Sequence, residues 1–488
     1  MIVCLFLQPG YLLSQDQSAI GIHPTFGQDP FAKRILRQTN LNPTGFVPVD
    51  DVKPLVNSLL KSYEDNGYPF ARIWLDSLRL EKDQIEATLN LDRGPRITYD
   101  TILNRTGIRL SPAVMNRIIN LFPGDLYSES KLRDASRRIA ATGFLREART
   151  MEVGFHSNLA SLFLFPERTP SNRFDGWIGL APGASSGEGI TLAGSVLMEF
   201  YNLLGQAESW NLNWKRNQDQ SQRMLLTASV PFLLGLPAGI GARFDLLRQD
   251  TSYLNLTWEL GIPYYFKPNH QLYLFYRSRK SQFLHNPNDQ PNSSLQPFDL
   301  WLTGISWNIR SLDDIINPQK GISCQAEASI GRKTVQEMTT PLKQSEFVTA
   351  IAAFIPIIPR LVISPTIQSG IRISDLALDN ERYRLGGYQH LRGFDEETFL
   401  ADRYLTGSLE LRYLLDRHSH LLVLTDFGLL SYHQEESWVI QKPFSLGFGG
   451  QFRTGGGIIR ILFAAGSTTD APMNLRSAKI HLGYVGLF

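Results

Sequence analysis

Leu254-Asn255-Leu256-Thr257-Trp258-Glu259-Leu260-Gly261-Ile262 decides the fold class. Large apolar side chains take every second position and polar or small ones lie between. That is the period of a strand whose two faces meet different surroundings. The same alternation sets Trp210, Leu212 and Trp214 against Asn211 and Asn213, and Leu409, Leu411 and Tyr413 against Ser408, Glu410 and Arg412. Working outward, such runs fall at 174–183, 189–203, 206–217, 222–231, 239–249, 252–263, 270–283, 298–310, 320–331, 344–356, 360–374, 401–413, 419–431, 444–453, 456–466 and 476–488. Sixteen is an even number of roughly 10-residue segments, as a closed transmembrane β-barrel demands. Closure is required because each unpaired backbone group in hydrocarbon costs several kcal/mol. A soluble sandwich or propeller would need neither an aromatic terminal strand nor this weight of Trp, Tyr and Phe.

Bulk properties are consistent with that reading without establishing it. The 488 residues exceed one small domain, and a formal charge of +2 gives no reason to propose nucleic-acid binding. Hydrophobic content of 43% and a mean hydropathy of −0.15 resemble a soluble protein, but alternating barrel strands average to mild polarity. No stretch approaches the roughly 18 apolar residues of a transmembrane helix. Seven of the eight Trp follow Phe174, which suits interfacial aromatic girdles. Cys4 and Cys324 are far apart and offer neither metal spacing nor a disulfide framework. The apolar start, Met1 to Gln15, is similar to the core of an export signal but lacks a basic lead. Residues 1–28 therefore read as a signal remnant or disordered N-terminus.

The chain before residue 170 follows another rule, a weak internal repeat. Leu59 to Tyr68 and Leu132 to Phe144 are helical stretches, each closed by a Gly-aromatic pair. Gly67 and Gly143 suit the left-handed cap, and Ala135, Ile139 and Ala140 share one face. A pair of strand runs follows each helix, Ala71–Leu80 with Gln84–Leu91 and Ala148–Phe155 with Leu159–Phe165. Arg96 to Ile102 reads as an opening strand and Ser111 to Leu121 as a first helix, so 96–170 has the order strand, helix, helix, strand, strand. Residues 29–95 match only the second half of that order, because Pro30, Pro43 and Pro48 interrupt its start.

Between two of the barrel runs lies Arg384-Leu385-Gly386-Gly387-Tyr388-Gln389-His390-Leu391-Arg392-Gly393-Phe394-Asp395. Strand, helix, helix, strand, strand is the order of a POTRA domain. With the Leu391-Arg392-Gly393-Phe394 motif and the closing run Leu482 to Phe488, the chain resembles the outer-membrane assembly-factor superfamily. Its members include the BamA-like and TamA-like insertases and the two-partner secretion exporters. The resemblance implies a 16-stranded transmembrane β-barrel (171–488) preceded by two small α+β POTRA-like periplasmic domains (29–95 and 96–170). It implies location in the outer membrane of a Gram-negative-type bacterium.

By the same resemblance, Arg392 lies on a loop folded into the lumen and reaches acids on the wall. Glu410, on the polar parity of its strand, and Asp426, in Thr425-Asp426-Phe427-Gly428, match the acid-bearing strands. Arg392 then either staples the loop or acts directly on substrate. Gly386, Gly387 and Gly393 read as backbone-permissive turn positions. Asp313 to Gly321 resembles the family's turn before the ninth strand. Gly483, Gly486 and Phe488 mark a terminal strand that would form a weak seam with the first.

The implied function is insertion or translocation of proteins, with an incoming strand pairing at that seam. A dedicated exporter passing one secreted partner through its lumen is the alternative, and Pro30 to Thr39 could supply its plug helix. A passive porin needs neither the repeats nor the Arg392 loop. Expected partners are unfolded outer-membrane or secreted clients, the lipid bilayer and periplasmic accessory proteins or lipoproteins. No nucleophile elbow, zinc-protease motif or phosphate loop is present, so no enzyme, cofactor or metal is expected.

Overall fold

The computed structural model describes residues 19–25, 29, 31, 33–34, 45–81, 84–181, 191–216, 221–250, 252–267, 269–284, 295–314, 317–336, 338–434, 437–455, 457–474, 476 and 478–487. The stretch Met1–Gln15, the Gly183–Gly189 turn, the Asp289–Ser294 loop tip, Cys4 and Phe488 lie outside the described residues. Contacts divide the chain into two units. The first is 1–108, 118–140 and 146–167; the second is 109–117, 141–145 and 168–488.

Two small modules open the chain. In the first, β1 (Ala19–Pro24) and β2 (Gly45–Pro48) precede α1 (Val49–Glu64), β3 (Arg72–Glu81) and β4 (Gln84–Asp92). The sheet order is β2-β1-β4-β3. β1 runs parallel to β4, which forms an antiparallel pair with β3. Leu55 and Leu59, one turn apart on α1, pack on Ile20, Ile22, Val47, Ala87 and Leu89. Gly67, just beyond the helix, has φ +95°, and a Cβ there would crowd Leu126 and the Ile97 carbonyl.

β1 corrects the expectation of a signal remnant or disordered stretch through residue 28. Ala19-Ile20-Gly21-Ile22 is too short to announce itself by alternation, yet it is paired on both sides. Its two isoleucines enter the core. The opening strand that the prolines obscured is this one, upstream of Pro30.

The second module repeats the topology. It consists of β5 (Thr98–Asn104), α2 (Pro112–Ile119), α3 (Glu129–Ala141), β6 (Leu145–Glu147), β7 (Glu152–His156), β8 (Leu159–Leu164) and β9 (Pro166–Arg168). β5 lies parallel to β8, and β8 antiparallel to β7. Ala135 and Ile139 of α3 are buried, whereas Ala140, assigned to the same face, is exposed. In both modules the first strand lies parallel to the second strand of the later hairpin, β1 to β4 and β5 to β8, across an intervening helical segment.

From Arg173 the chain forms an antiparallel closed barrel. Its strands are β10 (Arg173–Ala181), β11 (Thr191–Tyr201), β12 (Ser209–Arg216), β13 (Gln222–Val230), β14 (Ile240–Gln249), β15 (Tyr253–Lys267), β16 (His270–Phe283), β17 (Phe298–Leu312), β18 (Gly321–Val335), β19 (Leu342–Ile358) and β20 (Leu361–Ser374). A long segment carrying the short pair β21 (Tyr383–Leu385) and β22 (Phe399–Ala401) follows. The wall resumes with β23 (Arg403–Leu414), β24 (His420–Gln434), β25 (Ser437–Gln441), β26 (Phe444–Arg453), β27 (Ile458–Ser467) and β28 (Lys479–Leu487).

β25 and β26 both pair with β24 and form one strand interrupted at Lys442–Pro443, where proline lacks a ladder donor. Counted so, the barrel has 16 strands. No helix among the described residues is long and apolar enough to cross a membrane.

Side-chain parity explains the composition. On β15, Trp258, Leu260 and Ile262 are 60%, 63% and 54% exposed, while Glu259 between them is 5% exposed. The apolar face points out to where lipid lies and the polar face into the lumen, which reverses the arrangement of a soluble core.

Candidate functional site

The segment between β20 and β23 returns into the lumen. Its turn needs glycine: Gly386 (φ +119°) and Gly387 (φ +78°) adopt left-handed backbone. A Cβ on Gly387 would sit 2.0 Å from the Glu396 carboxyl carbon. Gly387 bridges Leu391. Leu391, fully buried, packs on Leu385, Phe399, Ala401, Tyr404 and Leu430. At Gly393 (φ +107°) a Cβ would lie 2.8 Å from the Ala465 carbonyl carbon. The Phe394 ring covers the space where Gly466 would carry one. The tip therefore rests directly on β27, and Phe394 meets Phe399 edge-on at 4.9 Å.

Arg392 is held on every donor group. Its backbone N–H donates to Asp426 Oδ2 at 2.9 Å, Nε donates to the same oxygen at 3.0 Å, and Nη2 donates to Oδ1 at 2.6 Å. Nη1 donates to Glu410 Oε1 and Nη2 also to the Ser408 hydroxyl. Asp426 is fully buried and Arg392 is 8% exposed. Glu410 accepts a second guanidinium, Arg412, whose Nε lies 2.8 Å from Oε2.

Strand parity places these groups. Ser408, Glu410 and Arg412 are the inward positions of β23, while Leu409, Leu411 and Tyr413 on the outer face are 42%, 38% and 46% exposed. Asp426 is inward on β24, between Thr425 and the exposed Phe427. A forked guanidinium bridging two wall acids fixes both position and rotation of the loop, which a point charge would not.

The structure thus brings Leu391, Arg392, Gly393 and Phe394 together with Glu410 and Asp426. The terminal strand also reaches the loop, with Lys479 Nζ 2.7 Å from Asp395 Oδ1 and the His481 ring 5.7 Å from that of Tyr388, while its glycines serve the wall: Gly486 pairs with Phe174 of β10, and Gly483 with Arg460. The Asp313–Gly321 turn is tied by its own side chains. Asp313 Oδ1 accepts from the N–H groups of Gln319 and Lys320, both at 3.0 Å. Asn317 Nδ2 donates to the Arg417 carbonyl at 2.9 Å. Ile315 and Ile316 of that turn lie outside the described residues.

Sequence reasoning missed a second anchor at the base of the same loop. Lys333 of β18 and Glu381 are both fully buried and meet at 2.5 Å. Lys333 Nζ also donates to the Leu376 carbonyl. Next to them Asn380 Nδ2 donates to the Ser281 hydroxyl at 2.7 Å and the Gln296 carbonyl at 2.9 Å, and the Asn380 carbonyl accepts from Asn255 at 2.6 Å. Around this base, Arg277, Arg279 and Arg372 crowd onto Glu346, and Arg277 also meets Glu259 and Glu327. The loop is braced between opposite stretches of wall, β15–β18 at its base and β23, β24 and β27 at its tip. The one available signal was the inward parity of these charges, which says that they pair but not with which partner.

At the seam, β10 and β28 share three residue pairs, Arg173 with Leu487, Phe174 with Gly486 and Asp175 with Val485. Their other neighbours hold far longer ladders. β10 pairs with β11 from Arg173 through Ala181, and β28 with β27 from Lys479 through Val485.

A closed barrel of alternating strands whose lumen is crossed by an arginine-stapled loop defines an outer-membrane β-barrel with a constricted lumen. The family model of the Omp85 superfamily domain matches residues 202–480, and the chain belongs to that superfamily.

Among solved structures it is similar to BamA from Haemophilus ducreyi lacking POTRA domains 1–3 (15% identity, 97% of this chain and 100% of that one, TM-score 0.53). It is similar also to CdiB from Acinetobacter baumannii (11% identity, 98% and 91%, TM-score 0.60) and to CdiB from Escherichia coli (14% identity, 99% and 93%, TM-score 0.61). At such identities these likenesses speak for the fold. No functionally curated protein matches the chain. It is an outer-membrane protein of protein assembly or translocation.

Proposed function

We propose that the chain assists insertion of client proteins into the outer membrane by strand addition at the β10–β28 seam, with Arg392 fixing the loop that keeps the barrel competent. The three-pair seam carries this reading. Beyond Asp175, β10 turns toward β28 an edge with no partner among the described residues, and an unpaired edge in hydrocarbon is costly. An incoming strand that pairs there removes the cost, so client folding supplies the free energy and no nucleotide is needed. Gly176, Gly179 and Gly486 weaken the native pairing; Pro182, which lacks a ladder donor, lies outside the described residues. The two N-terminal modules face the periplasm and receive unfolded clients or accessory proteins.

Export of one secreted partner through the lumen is the competing reading, and the loop speaks against an open conduit because it is anchored at both ends across the lumen. Of Pro30–Thr39, the segment considered for a plug helix, Phe31, Lys33 and Arg34 are described. Asp29 caps their turn through the Phe31 N–H at 2.8 Å and is itself held by Tyr63 at 2.6 Å and Arg93 at 2.5 Å within the first module. That ties the start of the segment to the first module.

The test is a disulfide across the seam, Phe174→Cys with Gly486→Cys, in a chain whose own cysteines are replaced by serine. Opposed residues of an antiparallel pair lie about 4.5–5.5 Å apart at Cα, within disulfide reach. Oxidation should stop client insertion and reduction restore it, while Ile305→Cys with Ala328→Cys, opposed on β17 and β18, should lock without effect. Full activity with the seam locked would overturn strand addition and favour passage through the closed lumen.

A further inference from the structure

At the barrel end where β23 finishes and β24 begins, a second group of inward side chains has unmet chemistry. His420, Gln451 and Arg460 stand opposite one another across β24, β26 and β27. With Arg412 and Glu410 they line a cavity of about 200 Å³ beside the Arg392 staple.

Charge does not balance here. Three guanidiniums, Arg392, Arg412 and Arg460, share two carboxylates. Asp426 is taken up by Arg392, and Glu410 by Arg392 on one oxygen and Arg412 on the other. Arg460 makes no ion pair among the described residues. Its contact is Nε to Gln451 Oε1 at 2.7 Å, and Gln451 in turn donates to the His418 carbonyl at 2.9 Å. The His420 ring is 4% exposed and its Nδ1 has no hydrogen-bond partner. Arg453, on the same strand end, meets the His418 ring at 3.0 Å rather than an acid. Arg460, half-buried and without a counter-charge among the described residues, leaves net positive charge on this space.

We propose that this cavity binds a small oxyanion, a phosphate or carboxylate group. The free edges of Arg460 and Arg412 hold it, and the buried His420 ring forms part of its wall. Planar guanidiniums suit such groups because they donate through two parallel N–H bonds. The volume admits the anion with several waters, each of which needs roughly 10–15 Å³ by the same measure. Arg412 shares Glu410 with Arg392, so occupancy of the cavity and fastening of the loop are coupled. The site does not depend on the seam mechanism.

Equilibrium dialysis of the purified full chain in detergent against radiolabelled inorganic phosphate, with chloride holding ionic strength constant, reads the site directly. Saturable binding of one equivalent is expected. Arg460→Gln and Arg412→Gln should each weaken it at least tenfold while the folded barrel keeps its heat-modifiable gel mobility. Stronger displacement by acetate than by methyl phosphate assigns the site to carboxylates, and the reverse assigns it to phosphates. No saturable binding, or equal binding by wild type and both folded variants, would mark an adventitious ion only and overturn the proposal.

Discussion

Replacing Arg392 by alanine tests the staple most directly. The substitution removes both side-chain bonds to Asp426, the bond to Glu410 and the bond to Ser408. Glu410 keeps Arg412 at 2.6 Å, so its loss is small. Asp426 is fully buried and keeps only the backbone N–H of residue 392 and a distant Ser445 hydroxyl at 3.5 Å. Removing one partner of a buried pair costs about 3–5 kcal/mol, and with one carboxylate stranded the lower end applies, about 3 kcal/mol.

At roughly 1.4 kcal/mol per tenfold, local opening of the loop tip should become about a hundred times more frequent. Hydrogen exchange of the Leu391–Phe394 amides, followed by mass spectrometry on the barrel in detergent, reads that opening. The rise should be confined to the loop, with β23 and β24 unchanged. Arg392→Lys should recover part of the loss, since a point charge reaches one acid but cannot fork. Exchange at the tip equal to wild type would refute the staple, and a rise spread evenly over the barrel would show a wall-building role instead.

At the loop base, Lys333→Met should lower the temperature at which heat-modifiable mobility is lost, because it leaves the buried Glu381 unpaired at a cost of about 3–5 kcal/mol. Adding Glu381→Leu should restore most of the loss, and a double variant worse than the single would exclude a simple pair. A fragment spanning residues 19–168 should fold alone, whereas one starting at 29 should be markedly weaker to urea. Deleting β1 removes Ile20 and Ile22 from the core, at about 1.5–3 kcal/mol each.

In the 19–168 fragment, burial raises the Glu64 pKa above the ordinary carboxylate value, helped by Glu129 and Asp65. The folded state therefore binds that proton more tightly than the unfolded chain. The contribution of Glu64 is full below the unfolded pKa and is lost as pH rises through the folded one. Urea titrations should show wild type losing ground against Glu64→Gln between pH 4 and 7, and parallel curves would sink the assignment.

The barrel was legible because one rule, inward polar and outward apolar, governs every strand and is written at period two. Each of the sixteen runs overlaps a wall strand in the structure, but β25, the piece before the break at Lys442–Pro443, lies outside all of them. The Arg392 site was legible for two reasons that do not depend on distance: a motif flanked by turn glycines, and the inward parity of Glu410. Asp426 came from the resemblance of Thr425-Asp426-Phe427-Gly428 to an acid-bearing strand, and a charge among Leu422, Leu424 and Phe427 is tolerated only facing the lumen. The N-terminal repeat showed itself through its helices and hairpins, whose signals are local. β1 did not, because a short strand is specified by the partners on its two sides rather than by its own residues, and one of them, β4, lies some sixty residues away.

Away from the Arg392 staple, tertiary structure alone decided which inward charges meet. Lys333 and Glu381, or Arg460 and its missing counter-charge, are set by strand register and by the path of a returning loop. Parity fixes the side of the wall, and only closure of the barrel fixes what stands across it.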